Sequence, residues 1–212
     1  MRIGIEINGV LRNTVDKFEK TYKKFLIDKY EGSEDDNSFE YEMLLPVTSL
    51  NLKEHFKFQS DQEYFSFLYE EFPMEIFGHA QSSEYTTFND LNEFYMEFRN
   101  NHDILIVSDE IGKSKPASLF FLSKFGCLIE KIKFYSNLTI NSMWEEVDIL
   151  LTSNPDLFLN KPEDKVLIKF KTEYNNEIYS DYEISSIKEL KNKINQIIQT
   201  YDAKNNERTL LP

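Results

Sequence analysis

The order of short apolar runs along the chain constrains the fold more than any other feature of the sequence. Five runs rich in β-branched residues alternate with helical patterns, at residues 2–7, 103–108, 131–135, 147–152 and 165–170. The second and fourth are almost continuously apolar, as is typical of strands buried on both faces of a parallel sheet. The third (KIKFY) and fifth (KVLIKF) alternate more with polar residues. We therefore expect these two strands to lie nearer the edges of the sheet.

The segments between the runs show the periodicity of amphipathic helices. Apolar stripes cover residues 15–26, 88–98, 119–125 and 184–198. Thr87 is placed to cap the second of these helices, and Gly126 is placed to end the third. Strands that alternate with helices of this length predict an α/β fold with a doubly wound, Rossmann-type parallel sheet.

One long segment interrupts the alternation. Residues 31–85 contain no convincing strand, but they include an acidic stretch and an aromatic-rich helical pattern. We predict a mainly helical cap inserted into an α/β core that comprises residues 1–30 and 86–200. Residues 201–212 are predicted to form a flexible tail.

Composition excludes several classes of function. The chain has 24 basic and 37 acidic residues, for a net charge of −13, which opposes binding to nucleic acid. Cys127 is the only cysteine, so neither an internal disulfide nor a cysteine metal cluster is expected. No apolar stretch is long enough to span a membrane, and the N-terminus lacks the pattern of a signal peptide. We expect a cytoplasmic protein, and the sequence leaves its oligomeric state open.

The end of the first strand resembles a known motif. Residues 6–11 read EINGVL, and Thr14 follows. This is similar to the opening motif of haloacid dehalogenase-like (HAD-like) phosphatases, in which an apolar strand ends in Asp-x-Asp-Gly-(Val/Thr)-Leu. The glycine, valine and leucine are present here, whereas Glu6 and Asn8 replace the two aspartates.

Further similarities follow in the order that the superfamily uses. Its second motif is a strand that ends in Ser or Thr, and the second run here ends in Ser108. Its fourth motif ends in two acidic residues, where this chain has Thr152 and Ser153. Residues 75–80 resemble the exit from the cap in 5'(3')-deoxyribonucleotidase-like members. The resemblance extends from Arg2 to Phe170 and implies the HAD-like fold.

The resemblance also implies which chemistry these positions would perform. In such phosphatases the first aspartate is the nucleophile, the second is the general acid and base, and Mg²⁺ lies among the carboxylates. Glu6 is longer than aspartate by one methylene, which misplaces the attacking oxygen. The amide of Asn8 cannot exchange a catalytic proton. Thr152 and Ser153 offer neutral hydroxyls in place of carboxylate ligands. We therefore predict lost or strongly impaired catalysis.

Several residues are candidates for the site. Glu6 and Asn8 occupy the degenerate catalytic positions, and a weak metal site would use them together with Ser153 and Asp156. The candidate phosphate-binding residues are Ser108, Asp109 and Lys115. For Ser108 the alternative is a structural hydroxyl at a strand end, and for Lys115 it is a solvated surface lysine.

Three functions remain open from the sequence. The favoured hypothesis is an inactive phosphatase-fold protein without a cofactor, which binds a phosphorylated small molecule such as a nucleotide, a protein partner, or nothing at the old site. The alternative is a divergent, Mg²⁺-dependent phosphatase or nucleotidase in which Glu6 acts and Asp156 completes the metal site. A third hypothesis is an interaction module that uses the aromatic cap as its binding face.

Overall fold

The core of the protein is a parallel sheet of six strands. The computed structural model describes residues 1–30, 47–48, 52–135 and 140–209. The strands are β1 (Arg2–Glu6), β2 (Asp103–Ser108), β3 (Ile132–Phe134), β4 (Ile149–Thr152), β5 (Val166–Phe170) and β6 (Tyr182–Ile184). They lie in the order β3-β2-β1-β4-β5-β6, with every neighbouring pair parallel. The order reverses between β1 and β4, and open α/β sheets bind their ligands beyond the strand ends at such a point.

Helices cover both faces of the sheet. They are α1 (Thr14–Tyr30), α2 (Asp61–Ser66), α3 (Thr87–Phe98), α4 (Ser114–Lys124), α5 (Ile140–Glu146), α6 (Pro155–Leu159) and α7 (Ile187–Thr209). Apolar residues of α3, α4 and α7 pack against side chains such as Ile5, Ile106 and Ile168 on one face. Residues of α5 and α6 pack on the other face against Leu105 and Leu150. Because successive side chains of a strand point to opposite faces, both layers draw on the same apolar runs.

The predicted strands and the doubly wound sheet are confirmed, with corrections at one edge. The sequence analysis missed β6, which has only three residues, two of them partly exposed. Because β6 pairs with β5, KVLIKF, which was expected nearer an edge, is the second strand from one edge, and β3 is the strand at the other edge. Lys169 of β5 is buried, and its ammonium group donates to the carbonyl of Ile178 at 2.6 Å.

Two predicted helix ends also have clear outcomes. Gly126 follows α4 with a φ of +67°, and it therefore ends this helix in the backbone conformation that glycine favours. Helix α7 continues to Thr209, beyond Tyr201, where the tail was expected to begin, and the flexibility of that tail stays a prediction.

The described part of the insertion is helical. It includes a 3₁₀ turn at Leu52–Glu54, helix α2, and two π-helical segments at Phe67–Glu71 and Met74–Gly78. Its aromatic side chains form a separate apolar cluster with Phe18 and Tyr22 of α1. The acidic stretch predicted between residues 31 and 38 lies outside the described residues. The limits of the predicted cap stay a prediction.

None of the described helices combines the length and the apolar character needed to cross a membrane.

Candidate functional site

The ends of three central strands bring the candidate residues together. Glu6 ends β1, Ser108 ends β2 and Thr152 ends β4, and all three side chains are buried. Neighbouring parallel strands have their carboxyl ends at the same edge of the sheet, and the register aligns these ends. The convergence follows directly from the strand order β2-β1-β4.

Glu6 is held by hydrogen bonds from two other segments. One carboxyl oxygen accepts from the hydroxyl of Tyr135 at 3.2 Å. The other accepts from the hydroxyl of Thr152 and from the backbone N–H of Ser153, the latter at 3.3 Å. Burial, followed by the nearby charge of Asp109, raises the pKa of Glu6 to about 8 against the opposing effect of these hydrogen bonds. The carboxyl group is therefore mostly protonated at neutral pH.

Asn8 uses all the hydrogen-bonding capacity of its side chain. The amide nitrogen donates to Asp109 at 2.9 Å and to Glu110 at 3.0 Å. The amide oxygen accepts from Arg12 at 2.6 Å and from the hydroxyl of Thr14 at 2.7 Å. An amide has two donor hydrogens and two acceptor lone pairs, so no capacity is left for a substrate.

Arg12 and Glu110 form a buried ion pair next to Asn8. Both side chains are almost completely inaccessible to solvent. The guanidinium group also donates to the carbonyl of Phe77 at 2.9 Å and to the hydroxyl of Ser118 at 2.7 Å. The second carboxyl oxygen of Glu110 accepts from the hydroxyl of Ser108. These bonds compensate both charges, which burial would otherwise destabilise strongly.

Ser153 connects the first and fourth motif positions. Its hydroxyl donates to the backbone carbonyl of Asn8 at 3.0 Å and accepts from the hydroxyl of Tyr174 at 2.9 Å. A β-carbon on Gly9 would overlap both the Tyr174 and the Ser153 hydroxyl groups. The φ of +71° at Gly9 is also one that other residues rarely adopt. Glycine is thus required here for the close approach of Tyr174 as well as for the turn.

The residues present do not fit the Mg²⁺ ion that the HAD-like fold implies. The Asn8 carbonyl already accepts a hydrogen bond from Ser153, and both oxygens of Glu6 are hydrogen-bonded. Among the described residues, no group of three His, Cys, Asp or Glu side chains is arranged to hold a metal ion. Asp156, the predicted additional ligand, is exposed at the cavity and does not complete such a group.

The three candidate phosphate-binding residues have different surroundings. Ser108 is buried and bonded to Glu110, which agrees with the structural alternative for this hydroxyl. Asp109 is partly buried beside Asn8, and burial, followed by the charge of Glu110, raises its pKa. Lys115 is exposed, with its ammonium group 5.5 Å from the centre of the Phe134 ring, and the structure does not bring it to the cavity. A phosphate role for Lys115 is therefore not supported by its position.

A cavity of about 220 Å³ lies over this cluster. Its floor includes Glu6, Asn8 and Ser153, and its opposite wall includes rings from α1 and the insertion, among them Phe18 and Tyr64. Sequence reasoning thus identified the floor, but it missed four polar residues that organise it: Arg12, Glu110, Tyr135 and Tyr174. The available signal was an arginine and a glutamate within a few residues of the apolar motifs, where an unpaired charge would be costly.

Comparisons with known proteins agree with this architecture. No protein-family model matches the sequence. No curated protein matches it either. Solved structures do match. A haloacid dehalogenase-like family hydrolase from Xanthomonas campestris gives a TM-score of 0.56 at 8% identity, covering 96% of this chain and 98% of that chain.

Two further structures agree. A putative haloacid dehalogenase-like hydrolase from Burkholderia xenovorans LB400 gives a TM-score of 0.59 at 8% identity, covering 92% of this chain and 96% of that one. The putative HAD-hydrolase YfnB from Bacillus subtilis, in a structure bound to magnesium, gives a TM-score of 0.52 at 13% identity, covering 92% of this chain and 98% of that one. Together they show that the chain has the HAD-like fold, as the motifs predicted.

Proposed function

We propose that this HAD-fold chain does not hydrolyse phosphate esters and uses the cavity above its central strands to bind a small molecule. One observation carries the proposal. The side chains at the positions of the nucleophile, the acid–base group and the fourth-motif acids are hydrogen-bonded to one another or to neighbouring protein groups. Such an internally bonded set of groups stabilises the fold, whereas a catalytic site needs groups that are free to meet the substrate.

The state of Glu6 argues against nucleophilic attack. A carboxylic acid is a much weaker nucleophile than a carboxylate, and a pKa of about 8 keeps Glu6 mostly protonated at neutral pH. Ionisation would place a second negative charge close to Asp109, which already opposes it. A divergent phosphatase that uses Glu6 would have to overcome both effects.

The side chain at the second motif position, Asn8, cannot transfer a proton. Asn8 cannot titrate, and its amide is fully engaged by Asp109, Glu110, Arg12 and Thr14. General acid–base catalysis contributes about 10²–10⁴-fold to typical rates, so its loss alone would make turnover very slow.

The charge of the cavity disfavours a phosphorylated ligand. The acidic residues that line it include Asp109 and Asp156, besides Glu110, which is paired with Arg12, and Glu6, which is mostly protonated. None of the described lining residues is a lysine, arginine or histidine. The nearby guanidinium group of Arg12 is buried and paired with Glu110. A phosphate group would therefore meet negative charge, with no free positive group among the described lining residues to offset it. A recessed cavity also suits a small molecule better than a protein partner.

Phosphate release tests the proposal. Wild-type protein is incubated with p-nitrophenyl phosphate and with nucleoside monophosphates in the presence of Mg²⁺, beside the Glu6→Gln variant. We expect the same background rate from both proteins, since neither performs the reaction. Mg²⁺-dependent turnover by the wild type that Glu6→Gln abolishes would overturn the proposal and establish the divergent phosphatase.

A further inference from the structure

The cavity combines aromatic walls with a carboxylate that forms no ion pair among the described residues. Four aromatic rings line it: those of Phe18, Tyr64, Tyr69 and Phe77. Asp109 lies at the same cavity and is partly buried. A space bounded by π-systems and a carboxylate is chemically suited to a cation.

The charges around the cavity are not equally compensated. Glu110 is paired with Arg12, and Asp156 is exposed to solvent. Asp109 accepts a hydrogen bond from the Asn8 amide, and among the described ion pairs it takes part in none. The charge of Asp109 contributes to the raised pKa values of both Tyr64 and Tyr69, after the larger effect of burial. The field of this carboxylate therefore reaches the rings on the opposite wall.

We propose that the cavity binds a small organic ammonium ion, with its charge at Asp109 and its alkyl groups against the rings of Tyr64 and Tyr69. The volume of about 220 Å³ provides room for an ion of a few carbon atoms. A bare metal ion suits the cavity less well, because the described residues provide no group of three metal-binding side chains. Cation–π contacts and a partly desolvated carboxylate act together on an organic cation.

This inference rests on the proposed function, because a catalytic Mg²⁺ ion among the same carboxylates would supply the positive charge instead. The two proposals still fail separately. Phosphate turnover would overturn the proposed function, whereas a silent protein that shows no preference for a cation would overturn only this inference.

Titration calorimetry on the full chain tests the preference. The probes are butylammonium, 1-butanol and butanoate, which share an alkyl chain and differ in charge. At about 0.15 M salt, which screens the general attraction of a chain with a charge of −13, we expect butylammonium to bind at least about tenfold more tightly than 1-butanol. Butanoate should not bind detectably. Equal affinities for the cation and the alcohol would overturn the proposal, as would tighter binding of butanoate.

Three variants, one of them a charge control, localise the effect. Asp109→Asn should abolish the preference for butylammonium over 1-butanol, and it should fold because it removes repulsion from Glu110. Asp164→Asn changes the net charge equally, at an exposed residue just before β5, and should leave the preference intact. Tyr69→Leu should weaken the binding of tetramethylammonium several-fold through the loss of the ring. An equal effect of Asp109→Asn and Asp164→Asn would mean that the cation does not bind at Asp109, and would overturn the proposal.

Discussion

The hydroxyl group of Ser153 donates a hydrogen bond to the backbone carbonyl of Asn8, with 3.0 Å between the two oxygen atoms. This bond joins the first and fourth motif positions of a HAD-like site. The family resemblance implies that Mg²⁺ would link the same positions in an active phosphatase. A neutral hydroxyl group thus makes the connection in this chain, and the hydroxyl of Tyr174 donates a hydrogen bond to the same Ser153 oxygen.

Ser153→Ala should lower the free energy of unfolding by about 1–3 kcal/mol, because it leaves the partly buried Asn8 carbonyl without the donor it has here. Urea denaturation measures the change. Ser123→Ala removes the same group from an exposed position in α4 and should change stability by less than about 0.5 kcal/mol. Equal effects of the two substitutions would show that the Ser153 hydroxyl has no structural role.

Gly9 and Gly112 allow a matched comparison. Both have positive φ, +71° and +52°, but a β-carbon on Gly112 would meet no atom within 4 Å. Gly112→Ala should therefore cost only the backbone strain of about 1–2 kcal/mol. Gly9→Ala should cost clearly more, because the β-carbon also displaces Tyr174 and Ser153. Thermal denaturation of the two variants checks the order, and a milder effect at Gly9 would contradict the close approach of Tyr174.

The buried ion pair between Arg12 and Glu110 should contribute much more to stability than an exposed ion pair does. Arg12→Met should destabilise the fold by about 3–5 kcal/mol, since it leaves the buried Glu110 carboxylate unpaired. Lys131→Met breaks an exposed pair with Asp103 and should cost at most about 1 kcal/mol. Chemical denaturation measures both. A small loss on Arg12→Met would mean that Glu110 is not held as an ionised partner.

The raised pKa of Glu6 should make the stability of the protein depend on pH. Its pKa is raised in the folded state from 4.5 to about 8, so the folded protein binds more protons than the unfolded chain between these values. The contribution of Glu6 to stability therefore falls as the pH rises through this window, by up to about 1.4 kcal/mol per pH unit. Glu6→Gln should become progressively more stable relative to the wild type from about pH 5 to about pH 8. Denaturation curves for the two proteins that stay parallel across this range would contradict the shift.

Much of the core could be predicted because strands that are buried on both faces appear in the sequence as continuous apolar runs. The runs DILIVS and VDILLT are apolar on both faces, and both form central strands. The strand Tyr182–Ile184 has only three residues with a polar one between them, so it carries too little periodicity to be recognised. The predicted sheet is therefore one strand short at this edge.

The site could be predicted only in part, for a similar reason. Glu6, Asn8 and Ser153 lie at the ends of neighbouring strands, and their convergence follows from the motif order. Tyr135 and Tyr174 follow the outer strands β3 and β5, and their approach to the site depends on tertiary packing that no short motif encodes. Lys115 was assigned to phosphate from its place after β2, but its side chain is exposed beside Phe134.

The protonation state of Glu6 is the central claim, because an ionised carboxylate here would restore a possible nucleophile. Carboxyl ¹³C resonances of labelled glutamate, compared between the wild type and Glu6→Gln, identify the signal of Glu6 and give its midpoint directly. We predict a midpoint near 8, because burial and the charge of Asp109 outweigh the hydrogen bonds from Tyr135 and Thr152, which by themselves lower the pKa of this carboxyl group. A midpoint near 4.5, the ordinary value for glutamate, would contradict this account of the site.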